Sequence, residues 1–222
     1  MDSCEEISIN DLLLNSAGLE KELSTFLALT PFDDSDRLFS SKAMCSIAFE
    51  HAESAKILLA SGNFTSATGL VRLQFEALVR AMWLLYAASE TAVSKLMCEL
   101  TADSASKANK LPMLSEMLEK LKGKAPQEAV DMLLEFKEYS WKPLSSFVHG
   151  GIHAITRHST GYPEPLLEQM LKASNGVSVM VGMLLVILHG GGHQIGKIPE
   201  IQKRFSNCLP RSRGELTQGH QR

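Results

Sequence analysis

The 222-residue chain is 45% hydrophobic and 21% charged, which excludes general disorder and allows a substantial buried core. Aromatic residues make up only 6% while Leu, Ala and Met abound, a balance that favours helices over a β-sandwich. The net charge of −3 divides unevenly: from Lys197 onward six basic residues face Glu200 and Glu215, a local +4, which leaves −7 for the body and argues against broad electrostatic binding of nucleic acid there.

In chain order, Ser8 or Asn10 caps a first amphipathic helix carrying Leu12, Leu13, Leu19, Leu23, Phe26 and Leu27, ended by Thr30-Pro31. An acidic loop over 33–36 follows. The next helix runs from Asp36 to Ser61, with Met44, Ile47, His51, Ser54 and Leu58 recurring at spacings of three and four. Gly62-Asn63 stops it. Thr65 or Ser66 then caps a helix to about Ala88 whose apolar residues point in nearly every direction, the pattern of a central, buried helix. Ser89 to Ser106 reads as helical. Leu111–Leu121 and Pro126–Tyr139 form a helical hairpin around Gly123. Trp141-Lys142-Pro143 reads as a break, followed by a helix from Ser145 to about His158. After the turn Gly161-Tyr162-Pro163, a last long helix reaches about Leu188, with Ser174-Asn175-Gly176 as a potential kink; beyond Gly190 periodicity is lost.

These elements predict an all-α fold: a single bundle of seven to eight helices over residues 1–196 and a flexible basic tail over 197–222. Four widely separated cysteines form no CxxC pair, and Cys45 and Cys98 read as buried thiols in a reducing compartment. The acidic start carries no signal-peptide pattern, and the longest apolar run, Val177 to Leu188, is short of the ~20 residues a membrane span needs. The expectation is a soluble, cytoplasmic protein without a membrane partner.

Two polar stripes interrupt the apolar pattern. Arg72, Glu76 and Arg80 follow each other at four-residue steps inside the helix expected to be most buried. Buried charges need partners, and one glutamate cannot neutralise two arginines. The excess positive charge suits a phosphate or carboxylate; an internal network fixing helix register is the competing reading. His149, His153 and Arg157 share the same spacing, and on one helix they lie on one face. The HxxxH pair can serve acid–base chemistry, structural hydrogen bonding, or a metal ion given a third ligand from Glu50, His51, Glu53 or Glu76. No metal or cofactor is assigned. Gly150-Gly151 within this segment marks either a close helix approach or a local break, and His189-Gly-Gly-Gly-His193 reads as a helix stop. No P-loop, GxGxxG, GxSxG or CxxC motif is present.

The segments FTSATGLVRLQFEALVRAMWLLYA and YSWKPLSSFVHGGIHAITRH together resemble a bacterial helical family of unknown function. Its members pair an R-x-x-F/L-E-x-x-x-R helix with a later Tyr…Leu-Ser-x-x-Val-His-Gly segment. The pairing is similar, more distantly, to the HEPN superfamily and to abortive-infection proteins. The resemblance implies a dimeric helical bundle, metal-independent ribonuclease activity, and a role in phage defence or a toxin–antitoxin pair. The HEPN order of arginine before histidine is reversed here. On this resemblance His149, His153, Arg157 and Arg80 are the candidate catalytic groups, and Arg72, Glu76, Tyr139 and Ser145 the candidate ligand-binding groups. RNA or a nucleotide, an antitoxin or other partner protein, and a second copy of the chain are the implied partners. A non-enzymatic interaction module and a metal-binding hydrolase are the alternatives.

Overall fold

A computed structural model describes residues 8–108 and 110–210, with side chains for all of these except 107 and 108. The acidic N-terminus with Cys4, and the basic residues from Arg211 onward, lie outside the described residues. Among those described the fold is all-α: ten α-helices, three short 3₁₀ turns and no strand. The helices are α1 (Ile9–Ser24), α2 (Asp36–Ala60), α3 (Phe64–Tyr86), α4 (Glu90–Met97), α5 (Ala102–Ala108), α6 (Leu114–Leu121), α7 (Gln127–Val148), α8 (Ile152–Thr160), α9 (Glu164–Leu188) and α10 (Lys197–Arg204). Their number exceeds the expected seven to eight because the 89–106 stretch divides and the segment after Lys197 is helical.

Local chemistry sets most boundaries. Ser8, Ser35 and Ser89 cap α1, α2 and α4 by accepting from first-turn amides, the role that makes serine favourable there. Gly62 and Gly123, at φ +76° and +70°, turn the chain after α2 and α6, a backbone region nearly closed to other residues. Arg37 closes the far end of α3, donating to the carbonyl oxygens of Leu84 (2.5 Å) and Ala88 (2.8 Å) while paired with Glu90. A cation there satisfies orphan carbonyls and complements the negative helix end.

The expected central helix is central. α3 packs against α2, α6, α7 and α9 and buries Val71, Phe75, Leu78, Val79, Met82, Trp83 and Leu84. Each such large side chain contributes roughly 1.5–3 kcal/mol by leaving water. A smaller apolar cluster of Ala55, Leu59, Ala67, Val71, Leu144, Leu167 and Met170 lies under the α2–α3 turn and fixes α7 and α9 there.

Further segments differ from their sequence reading. α7 runs through Pro143 without a break. The carbonyl that loses its donor belongs to Tyr139, which is 67% exposed and open to water, and Leu144 and Phe147 beyond it gain burial. α9 is continuous through Ser174-Asn175-Gly176, because these small polar residues meet neighbours. Ser174 donates to Gln74 Oε1 (2.6 Å), Gln74 Nε2 donates back to the Ser174 carbonyl and to Ser178, and Asn175 donates to Ser16 and the Cys208 carbonyl. α9 is long and apolar enough to cross a membrane, but two-thirds of its apolar window is buried against other helices, as in a core helix. Finally, residues 197–204, expected to open a flexible tail, form α10 with Ile198 and Ile201 buried, followed by buried Cys208. Cys45 is buried as expected, which raises its thiol pKa, but Cys98 is exposed.

Candidate functional site

The first polar stripe folds into a tight knot around Arg72. Its Nε lies 2.8 Å from Glu76 Oε1, one turn on along α3. The contact is an ion pair without hydrogen-bond alignment, so the buried Nε–H has no aligned acceptor. The guanidinium carbon sits 4.4 Å from the centre of the Trp141 ring on α7, and Nη1 donates to His149 Nε2 across 2.9 Å. Arginine can only donate, so Nε2 is the acceptor in this contact. Phe75 stacks on Phe136 at 4.3 Å beneath this group. The two stripes therefore touch, at Arg72 and His149. The Arg72 side chain is only 13% exposed and engages Glu76, Trp141 and His149 at once: this is a latch between α3 and the end of α7.

The rest of the second stripe is dispersed. His149 does not continue a helix; it caps α7, its amide donating to the Ser145 carbonyl (3.1 Å). Gly150 takes φ +63° and α8 restarts at Ile152. The single-face alignment of His149, His153 and Arg157 is thus overturned: the glycine pair acts as a break. His153 is exposed, its ring 6.3 Å from Phe147 and its amide held by Ser146 Oγ (3.0 Å). Arg80, half-buried, stands about 12 Å farther along α3 than Arg72 by helix rise. Tyr139 faces outward, and Ser145 enters only through its carbonyl. Among the described residues no three His, Cys, Asp or Glu side chains are grouped to hold a metal ion, so the HxxxH pair has lost both its shared face and its third ligand.

Arg157 reaches a different place. With His158 it lines a cleft of about 310 Å³ at the start of α3, opposite Thr65, Ser66 and Tyr162. Tyr162 is held by Phe64 (ring centres 5.2 Å apart) and Phe147 (6.0 Å). Its hydroxyl lies 2.8 Å from Thr65 Oγ1, which is 3.4 Å from His158 Nδ1. Asn63 precedes the helix without capping it, and the amides of Phe64, Thr65 and Ser66 donate to no described residue. The Arg157 guanidinium has no ion pair or hydrogen bond among the described residues. A half-buried cation, hydroxyl donors and free helix amides around one opening form an environment for an anion.

Sequence reasoning placed Thr65 only as a cap and Tyr162 only in a turn, and did not connect either with His158. Trp141 read as part of a break. The signal that joins them is tertiary: the α8 turn folds back over the start of α3.

Fold and site together define an all-α protein with a polar latch at the middle of its central helix and an anion-suited cleft at that helix's start. A family of unknown function, DUF6988, matches residues 45–211, about three-quarters of the chain, and the protein belongs to that family. The match includes α3, α7, α8 and α9, and leaves out α1. No curated protein and no solved structure matches the chain.

Proposed function

We propose that the protein is a HEPN-like helical bundle of a bacterial defence or toxin–antitoxin system, acting in the cytoplasm, that binds the phosphate of RNA or a nucleotide in the Arg157 cleft. The observation that supports phosphate binding is the Arg157 guanidinium, without an ion pair or hydrogen bond among the described residues, lining a cleft of about 310 Å³ with the uncapped first turn of α3. Arg157 supplies charge, the Thr65 and Ser66 amides and hydroxyls supply directed donors, and Tyr162 braces Thr65. In this reading His158, which also lines the cleft, takes the proton from a ribose hydroxyl. His149, whose Nε2 is engaged by Arg72, holds the latch instead.

The test is titration of the full chain with short single-stranded RNA and with AMP, using inorganic phosphate as competitor. Arg157→Ala should weaken binding at least about tenfold, the loss of one charge-assisted contact, with an unchanged melting temperature. Absence of binding, or binding indifferent to Arg157, would refute the reading. RNA cleavage that persists in EDTA and disappears in His158→Ala would add the metal-independent ribonuclease step.

A second reading, a module that binds a partner protein or its own copy, is favoured by one observation. Ile152 and Ile155, beside the cleft on α8, are 76% and 65% exposed, with Val148 and Tyr139 also open. Ile152→Glu with Ile155→Glu should convert a sedimenting dimer to monomer if this face joins two copies; an unchanged mass removes that arrangement.

A further inference from the structure

A second cleft, about 610 Å³, runs between α1 and α2 and shares no residue with the Arg157 cleft. Leu27 and Phe49 give it apolar wall, and Glu50 and Glu53 line it from exposed positions. Its innermost polar groups are Lys56 and Glu20, 7% and 8% exposed, which form an ion pair across the two helices. Lys56 Nζ also donates to the Ala52 carbonyl at 3.0 Å. Burial pushes the Lys56 ammonium down from 10.5 to about 7, with the nearby Cys208 sulfur pulling the other way.

A buried lysine–glutamate pair stabilises a fold little better than apolar residues of similar volume, so packing alone gives no reason for these two residues at the floor of an open cleft. Transfer of one proton from Lys56 to Glu20 leaves a neutral amine beside a neutral acid, with no net charge where little water reaches. An amine nucleophile with an adjacent proton carrier is the equipment for imine formation.

We infer that Lys56 captures a small hydroxylated aldehyde as an imine in the α1–α2 cleft, with Glu20 carrying the proton. The Lys56 nitrogen bonds to the aldehyde carbon as the carbonyl π bond opens onto oxygen, and a proton passes from nitrogen to that oxygen, giving a carbinolamine. Glu20 then protonates the hydroxyl, which leaves as water while the nitrogen lone pair closes the C=N bond. Overall, an ammonium and an aldehyde give an iminium and water, and Glu20 ends as the carboxylate it began as. The Glu50 and Glu53 carboxylates accept from hydroxyl groups and repel acids and phosphates. That selects a neutral polyol aldehyde over an oxo acid, with its C–H face against Phe49.

The experiment treats the full-length protein with D-glyceraldehyde and cyanoborohydride at pH 7 and reads each lysine by peptide mass spectrometry. Lys56 should be alkylated at least about tenfold faster than exposed Lys120 and Lys124. Its rate should saturate with aldehyde concentration while theirs stays linear. Glu20→Gln should slow Lys56 at least about tenfold and leave Lys120 unchanged. Labelling of Lys56 no faster than of Lys120, or without saturation, overturns the proposal on the unmodified chain, whatever the variant's stability. An unchanged Lys56 rate in folded Glu20→Gln overturns the role of Glu20. Neither result bears on the Arg157 cleft.

Discussion

Arg72 shows how one side chain can carry charge, stacking and hydrogen bonding together. Its Glu76 partner was readable from the four-residue spacing, because helix geometry alone brings i and i+4 together. Trp141 and His149 were not readable as partners, because they lie 69 and 77 positions away and arrive only when α7 packs on α3. Removing Arg72 strips cover from Trp141 and leaves Glu76 without its cation. Arg72→Ala should therefore destabilise by roughly 2–4 kcal/mol in urea unfolding, and Arg72→Lys should recover little, since an ammonium cannot reproduce a planar group on the indole. His149→Ala, at an exposed position, should lose only about 1 kcal/mol. Phosphate binding at the cleft should survive both, because neither residue lines it.

At the scale of elements, the α7–α8 junction decides which polar groups meet. Proline and glycine both signal a helix end, and the break fell on the glycine. Pro143 forfeits one hydrogen bond at a carbonyl that water can reach, whereas Gly150 adopts a left-handed conformation that lets α8 turn back towards α3. Gly150→Ala meets no neighbouring atom but retains that φ, so a loss of about 1 kcal/mol is expected. Gly151→Ala would place its Cβ 2.6 Å from Ser146 Oγ, the acceptor for the His153 amide. It should loosen the start of α8 and so weaken phosphate binding through Arg157, read by the same titration. The helices with strong apolar periodicity, α1, α2, α3 and α9, were legible in the sequence. The glycine turns after α2, α6 and α8 were legible too, whereas the α7–α8 junction was not, because its outcome depends on which carbonyls are solvated and which side chains find burial.

At the scale of the whole molecule, the C-terminal segment belongs to the folded body as far as Pro210. Ile198 and Ile201 fill space against the core, Gly182 of α9 comes close to Leu23 and Ile198, and the Cys208 carbonyl accepts from Asn175. Ending the chain at Gly196, which removes Ile198, Ile201 and Cys208 from the core, should lower the melting temperature by several degrees. Lys56 adds a pH dependence. Its pKa is near 7 when folded and 10.5 when exposed, so between these values the unfolded chain binds more protons and stability rises with pH. Urea unfolding should show this slope from pH 7 to pH 9 in the natural chain and a smaller one in Lys56→Met, which lacks the group.

The sequence by itself determined the helical class, the identity of the central helix and the presence of charge within it, because these follow from periodicity and helix spacing along a single element. Only the tertiary structure decided that the second polar stripe splits, that Arg72 closes a latch while Arg157 faces an open cleft, and that Lys56 meets Glu20. Those outcomes depend on where separate helices cross, and the backbone path between them is set by burial and solvation that no local pattern records.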